Sequence, residues 1–201
     1  MFDAGAVIIA AGLSSRMGDF KPLLPIGDTT VIRKLIRTLQ RGGVKKIVVV
    51  TGYRGDELMN HINDMHVTCV SNDYYAQSQM FDSAKIGFSA IRGLCKKVLF
   101  LPVDIPLFDE NTVKALLNQN ANLICPVWQG KKGHPICIAD EVLDSLIHYN
   151  GDYGLHGAFQ HCGYRMEFLE VEDWGILYDM DTKKDYRKIK MLYDMQNSAE
   201  N

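Results

Sequence analysis

The sequence predicts an α/β fold built on a Rossmann-like, doubly wound, mostly parallel β-sheet. Apolar runs typical of strands alternate with segments of helical periodicity through residue 127. Several of these runs contain no polar residue, which is typical of strands that helices cover on both faces. Repeated strand–helix units of this length join parallel strands through right-handed crossovers, which gives the doubly wound arrangement.

The first strand–helix–strand unit occupies the first fifty residues or so. An apolar run at residues 6–10 predicts the first strand. Residues 31–39 carry apolar side chains at helical spacing, and Gly42 and Gly43 end that helix. Residues 46–51 form a β-branched run and predict the second strand.

The later elements continue this alternation. Asp109 is expected to cap a helix, because its side chain can accept hydrogen bonds from the first free N–H groups. After residue 128 the pattern loosens and glycines interrupt shorter elements, so we expect a small antiparallel excursion there. The other expected elements are helices at residues 55–65, 82–92 and 183–195 and strands at residues 67–70, 98–101 and 122–127.

The composition fits one globular domain. The chain has 201 residues, of which 47% are apolar and 23% are charged. Since no repeat or long linker divides it, we expect a single domain over residues 1–195 and a frayed tail over residues 196–201. With 22 basic and 24 acidic residues the net charge is −2. A broad charged surface for nucleic acid or a membrane is therefore not expected, and an anion would be bound locally.

Export signals and cysteine motifs are missing from the sequence. The first residues do not resemble a signal peptide, and no stretch approaches the roughly 18 apolar residues of a spanning helix. We therefore expect a cytoplasmic location. The five cysteines are odd in number and form no C-x-x-C pair, which argues against a disulfide framework or a zinc site.

The loop after the first strand carries the strongest functional signal. Residues 10–18 read AAGLSSRMG, and the N–H groups of a tight turn make a concave surface that binds anions. Gly12 and Gly18 permit a positive φ and close approach of a ligand. Arg16 offers a planar fork of donors and Lys21 a mobile point charge, so the two can neutralise different parts of a polyphosphate.

This loop matches neither of the two common nucleotide-binding motifs. Gly18 is followed by Asp19, so a P-loop is absent, and Gly12 has no glycine two residues on, so a dinucleotide fingerprint is absent. From composition alone, an ordinary strand-to-helix turn with solvated cations is an equally good interpretation.

The order of the residues resembles a known family. The stretch AAGLSSRMGDFKPLLPIGDTTVI is similar to the signature of the nucleotidyltransferases that build the dinucleotide form of molybdenum cofactor, A-A-G-x-S-x-R-M-G followed by K-x-L-L. Further segments resemble the family in the same order: IVVVTGY, MFDSAKIGF, LPVDIP, GKKGHPI, GDYGLHG and MDTKKDY. The resemblance covers about residues 4–190. It implies a nucleotidyltransferase domain with the nucleotide-diphospho-sugar transferase fold.

Two aspartates are expected to hold Mg²⁺, which prefers one or two carboxylates together with substrate and water. Asp104 follows the strand at residues 98–101, and ligands of open α/β sheets bind beyond the carboxyl ends of strands. A carboxylate that caps a turn is the alternative. The resemblance implies that Asp104 is one ligand and Asp181, in D-T-x-x-D, the second. Asp179 competes with Asp181, whereas Asp185 suits the first turn of the final helix.

The resemblance assigns roles to further residues. Arg16, Lys21 and Asp104 would be catalytic. His134 and Asp152 would contact the acceptor, although a packing histidine and a plain turn are the alternatives. The residues that would bind the nucleotide are Ala10, Ala11, Gly12, Ser14, Ser15, Arg16, Met17, Gly18, Lys21, Met80 and Ser83.

The activity implied by the resemblance is transfer of CMP from CTP to a phosphorylated small-molecule acceptor, with release of pyrophosphate. CTP is preferred because Ala10-Ala11-Gly12 resembles the cytidylyl-transferring branch. Molybdopterin cofactor is the implied acceptor, and a protein partner would receive the product. A sugar-phosphate or other small-molecule acceptor, or a nucleotide-binding protein of the same fold without turnover, are the alternatives.

The sequence departs from the family pattern at two places. Gln79 stands where the family usually has a glycine beside the nucleobase, which puts the base contacts and the choice of donor in doubt. Asp28-Thr29-Thr30 replaces a common glycine pair, which we interpret as a harmless turn variation.

Overall fold

A computed structural model describes residues 3–13 and 17–198 of the chain. Its strands are β1 (Ala4–Ile9), β2 (Pro25–Ile26), β3 (Thr29–Thr30), β4 (Lys46–Thr51), β5 (Thr68–Ser71), β6 (Lys97–Pro102), β7 (Leu123–Trp128), β8 (Lys131–Lys132), β9 (Ile136–Ala139) and β10 (Glu167–Glu170). Its α-helices are α1 (Val31–Arg41), α2 (Gly55–His61), α3 (Met80–Ile91), α4 (Glu110–Leu117), α5 (Asp140–His148), α6 (Gly154–His161) and α7 (Lys183–Ser198). Short 3₁₀ helices cover Lys21–Leu23 and Trp174–Leu177.

The main sheet has eight strands in the order β10-β7-β9-β6-β1-β4-β5, with β8 paired to β7. The pairs β6–β1, β1–β4, β4–β5 and β10–β7 are parallel. Strand β9 is antiparallel to both β6 and β7, and β8 is antiparallel to β7. The predicted fold class is confirmed, and the antiparallel excursion lies inside the main sheet.

Helices cover both faces of the sheet, as the apolar strands predict. Every residue of β1 is buried. Ala6 and Ile8 pack into the core that includes α1 and α4, whereas Val7 and Ile9 pack into the core that includes α3 and α5. The alternation of side chains along one strand thus supplies two hydrophobic cores.

Three predicted helices have different bounds in the structure. Helix α3 begins at Met80 rather than residue 82, because Gln79 and Asp82 form a reciprocal capping box before it. Helix α2 ends at His61 rather than at residue 65. The final helix α7 continues to Ser198, past the predicted end at residue 195. The predicted cap is confirmed, since the Asp109 carboxylate accepts a hydrogen bond from the N–H of Thr112 over 2.8 Å.

Asp173 fixes the segment that runs from β10 to α7 against the rest of the fold. Its buried carboxylate accepts hydrogen bonds from the N–H of Asp109 and the hydroxyl of Thr112, at 2.9 and 2.6 Å. Two residues later, a Cβ on Gly175 would lie 2.4 Å from the carbonyl oxygen of Leu107, so only glycine fits this close approach. The segment is therefore held against the chain that follows β6.

A search of the described residues finds no helix with the length and apolarity needed to cross a membrane.

Gly87 tests the packing of α3 on the sheet. A Cβ there would lie 2.4 Å from Cγ1 of Val7 and 2.9 Å from Cγ2 of Val50. We expect Gly87→Ala to lower the free energy of unfolding by about 1–3 kcal/mol, because overpacking outweighs the gain of about 1 kcal/mol in helix propensity. Urea denaturation measures the change, with Ser89→Ala on the exposed side of α3 as the control. A Gly87→Ala protein as stable as the wild type would contradict this packing.

Candidate active site

The site begins where β1 and β6 end side by side. The N–H of Val103 donates to the carbonyl oxygen of Ile9 over 3.0 Å, which extends the parallel pairing to the carboxyl edge of the sheet. Asp104 follows at this edge. The chain after β1 returns through the 3₁₀ turn that starts at Lys21. The topology thus brings Lys21 and Asp104 to the crevice where open α/β sheets bind their ligands.

Lys21 donates hydrogen bonds to two carboxylates at once. Its Nζ lies 3.0 Å from Oδ2 of Asp104 and 2.8 Å from Oδ1 of Asp181. The three side chains are only 11%, 23% and 31% exposed, respectively, so water screens them incompletely. Burial alone would lower the pKa of Lys21, but the two carboxylates outweigh it, and the pKa of the ammonium is raised. Lys21 therefore remains protonated across the neutral range.

The neighbouring aspartates have different environments. Burial, followed by the charges of Asp181 and Asp104, raises the pKa of Asp179, so its carboxyl group belongs to the same acidic region. Asp185 is engaged by the start of α7 instead. Its Oδ2 accepts hydrogen bonds from the N–H and the hydroxyl of Thr182, at 2.9 and 2.6 Å, which lowers the pKa of Asp185. Asp185 thus caps the first turn of α7, as its position in the sequence predicts.

The paired carboxylates fit the needs of a hard divalent cation. The described residues contain no group of three or more histidine, cysteine or acidic side chains that could enclose a metal. Mg²⁺ does not need such a cage, because it keeps waters and takes substrate phosphates as further ligands. The bonded oxygens of Asp104 and Asp181 both lie within 3.0 Å of one nitrogen atom, so one cation can span them. In the structure the Lys21 ammonium is the cation between them.

At Gly12, the described part of the chain after β1 leaves its backbone open to this crevice. Ala10 and Ala11 are buried, and a Cβ on Gly12 would have no atom within 4 Å. Gly18 has a φ of +74°, as the loop requires. The Met17 side chain is buried in the core, so only its backbone can face a ligand. The predicted residues Ser14, Ser15 and Arg16 lie outside the described residues.

A cavity of about 140 Å³ lies beside Lys21 and Asp104, and Gly12 and Met80 also line it. Met80, at the first position of α3, is half exposed. Ser83, one turn further along α3, is buried, and its hydroxyl accepts a hydrogen bond from the Asn72 amide over 2.9 Å. Of the two α3 residues that the sequence groups with the nucleotide, Met80 faces the cavity and Ser83 packs inside.

A second cavity, of about 580 Å³, shares Met80 with the first and contains His134. Asp152 is exposed on the loop before α6 and does not line the cavity. The structure therefore places His134 in the lining of this cavity and leaves Asp152 out of that lining. We refer to it as the second cavity, and its lining residues are Met80, Phe100, Cys125, Lys132, Gly133, His134, Ile136, Leu155, His156, Phe159, Gln160, Tyr164, Met166 and Phe168.

The α6 residues of this lining are absent from the sequence-based site. Leu155, His156, Phe159 and Gln160 recur at helical spacing and form one face of the helix. That periodicity is visible in the sequence, but it is equally typical of a helix that packs against a core. Lys132, two residues before His134, also lines the cavity and is another residue that the sequence analysis missed.

Comparisons with known proteins agree on one type of protein. The family model described as a MobA-like NTP transferase domain matches residues 6–166. The molybdenum cofactor cytidylyltransferase of Escherichia coli (strain K12) is 29% identical over 189 residues, which cover 93% of this chain and 95% of the relative.

Two solved structures share the fold. A nucleotidyl transferase from Methanothermobacter thermautotroptrophicus has a TM-score of 0.82 at 24% identity, with 96% of this chain and 98% of the other covered. A protein from Mycobacterium tuberculosis H37Rv, solved as a complex with manganese, has a TM-score of 0.74 at 20% identity, with 94% and 98% covered.

Replacing Lys21 tests whether its ammonium stands in the place of a divalent cation. We expect Lys21→Met to bind Mn²⁺ alone about tenfold more tightly than the wild type, because two carboxylates lose their shared positive partner. Electron paramagnetic resonance of free Mn²⁺ measures the affinity. Lys184→Met, an exposed lysine near Asp181, corrects for the change in net charge. Equal Mn²⁺ affinity in the wild type and Lys21→Met would contradict the assignment.

Proposed function

Because the chain belongs to the MobA-like NTP transferase domain family and is a nucleotidyltransferase, we propose that it transfers CMP from CTP to molybdopterin cofactor. The products would be molybdopterin cytosine dinucleotide and pyrophosphate, and Mg²⁺ would be the metal. The single observation that carries the proposal is the contact of Lys21 with both Asp104 and Asp181 at a cavity that Gly12 also lines. This arrangement offers a cation for phosphate and a carboxylate pair for a metal.

The chain's own residues position and neutralise the reacting phosphates. Asp104 and Asp181 would hold Mg²⁺, which when bound withdraws charge from phosphate oxygens. Lys21 has a raised pKa and stays charged, so it can turn from the carboxylates to an arriving triphosphate. The N–H groups around Gly12 would hold the triphosphate for in-line attack. An acceptor phosphate is already ionised, so this mechanism requires no general base.

CTP as donor is supported by the relative from Escherichia coli, and the local structure explains the departure at Gln79. Gln79 precedes α3 with φ −90° and ψ 168°, an extended conformation that needs no glycine. Its side chain accepts a hydrogen bond from the N–H of Asp82 and so completes the helix cap. The replacement of the family glycine therefore has a structural role, and it does not argue against a nucleotide at this position.

The acceptor side is supported by the second cavity. Met80 borders both cavities, so an acceptor in the second cavity can extend its phosphate towards Asp104. The cavity walls include Phe100, Phe159 and Tyr164. Aromatic walls favour an acceptor that carries a flat ring system over a simple sugar phosphate, which exposes mainly hydroxyl groups.

Pyrophosphate release tests the proposed activity directly. The purified protein would be incubated with Mg²⁺ and each of CTP, GTP, ATP and UTP, with and without molybdenum cofactor. We expect release with CTP only, and only in the presence of the cofactor. Measurable CTP binding without release would reject this acceptor in favour of another phosphorylated one, and release with GTP rather than CTP would reject the donor.

Substituting each aspartate in turn tests which of the carboxylates would hold the metal. We expect Asp104→Asn and Asp181→Asn each to lower kcat by about a hundredfold or more, because a charge that stabilises the transition state is lost. Single-turnover kinetics measure the effect, and thermal unfolding confirms that the variants are folded. Asp179→Asn is the matched control and should retain most of the activity. If Asp179→Asn were the more damaging change, Asp179 would replace Asp181 as the ligand.

A further inference from the structure

A buried amide side chain that the proposed mechanism does not use lies at the carboxyl edge of the sheet. Asn72 follows β5, and only 2% of the residue is exposed. Its N–H donates to the carbonyl oxygen of Thr51 over 2.8 Å, which extends the parallel pairing of β4 with β5. The polar atoms of a buried amide need partners within the protein. These partners show which parts of the molecule Asn72 joins.

The Asn72 side chain connects the β5–α3 loop, residues 72–78, to helix α3. Its Nδ2 donates to the hydroxyl of Ser78 over 2.8 Å, within the loop, and to the hydroxyl of Ser83 over 2.9 Å, in the helix. Its Oδ1 accepts from the N–H of Tyr74 over 3.1 Å. Because a backbone N–H can only donate, the bond from Tyr74 fixes which end of the amide is the oxygen. The amide nitrogen therefore faces the two serines.

Backbone hydrogen bonds close turns inside this loop. The N–H groups of Tyr75, Gln77 and Ser78 donate to carbonyl oxygens of the loop itself, over 2.9–3.2 Å. These bonds shape the loop but leave its distance from α3 to contacts between side chains. The bond from Asn72 to Ser83, 11 residues further along the chain, is such a contact.

The β5–α3 loop also lies against the loop that follows β1. A Cβ on Gly52, directly after β4, would lie 2.7 Å from the carbonyl oxygen of Ala11 and 2.7 Å from Cβ of Tyr75. Three segments that leave neighbouring strands thus meet at Gly52, and only glycine fits between them. Ala11 precedes Gly12, which lines the cavity of about 140 Å³. The β5–α3 loop is therefore part of the frame around this cavity.

Met80, two residues after the loop, forms a wall of the same cavity. Its side chain is half exposed and has no donor for a phosphate oxygen. A thioether packs favourably against a flat ring instead. Since Gly12 and Lys21 would hold the triphosphate, Met80 is a wall suited to the nucleoside.

We propose that Asn72 is a positioning residue for the donor nucleotide, and that through Ser78 and Ser83 it sets the distance between the Met80 wall and the loop that holds the triphosphate. The nucleoside packs against Met80, whereas the Asn72 amide stays buried and does not touch it. Ser83 then acts through Asn72 rather than by contact with the nucleotide. This inference rests on the proposed function, because it takes the donor to occupy the cavity beside Lys21.

Asn72→Ala tests this role by separating nucleoside binding from phosphate binding. We expect the Kd for CTP to rise about tenfold, because the hydrogen bonds that hold the Met80 wall are lost. The Kd for inorganic triphosphate, which has no nucleoside, and kcat at saturating CTP should each stay within about twofold of the wild type. Isothermal titration calorimetry measures both affinities, and pyrophosphate release measures kcat.

Ser83→Ala removes one of these bonds and leaves Asn72 in place, so it serves as a second, milder variant. The double variant Asn72→Ala/Ser83→Ala should bind CTP no more weakly than Asn72→Ala, because the two side chains act as one unit. Asn122→Ala is the matched control, since it removes an asparagine that donates to Glu141 before the start of β7. It should bind CTP as the wild type does. Thermal unfolding establishes that each variant is folded.

Three results would overturn the inference. They are an unchanged Kd for CTP in Asn72→Ala and Ser83→Ala, an equal weakening of CTP and inorganic triphosphate, and additive losses in the double variant, which would mean that Ser83 touches the nucleotide itself. The wild type separates this inference from the proposed function. A wild type that binds no nucleoside triphosphate rejects both, whereas normal CTP binding that Asn72→Ala does not weaken rejects only the role of Asn72.

Discussion

The ion-pair bridge made by Lys21 is the interaction on which the site depends. Its ammonium contacts Asp104, 83 residues away, and Asp181, 160 residues away. One side chain thereby joins the loop after the first strand, the end of the central strand β6 and the segment before the last helix. None of these three segments alone carries both a cation for a phosphate and two carboxylates for a metal. Asp173 and Gly175 keep the last segment close enough for this contact.

Much of the fold follows from the pattern of apolar residues, and the exceptions depend on contacts that this pattern does not show. Apolar runs such as Val7 to Ile9 and the spacing of Val31, Leu35 and Leu39 predict strands and helices because each element buries its own residues. The earlier start of α3 depends on a side-chain contact between Gln79 and Asp82. The insertion of β9 between β6 and β7 depends on pairing across the sheet, which no local pattern in the sequence shows.

The candidate site likewise contains residues that the sequence predicts and residues that only the folded structure brings together. The family match confirms the resemblance that the opening loop predicts. Asp104 and Lys21 could be predicted to lie together because both follow strands that end at one edge of the sheet. The contact of Asp181 was suggested only by the resemblance, since a chain segment 77 residues beyond Asp104 can approach any edge. Lys132 and the α6 residues can be recognised as lining residues only from the folded structure, which places them around one cavity.

The most direct test of the central claim is a crystal structure with Mn²⁺ and CTP, in which anomalous scattering locates the metal. If the ion-pair bridge of Lys21 marks the metal site, the anomalous peak will lie between the carboxylates of Asp104 and Asp181. We also expect Nζ of Lys21 to leave both carboxylates and to contact the triphosphate. A metal bound elsewhere, with Lys21 still joined to Asp104 and Asp181, would contradict the account.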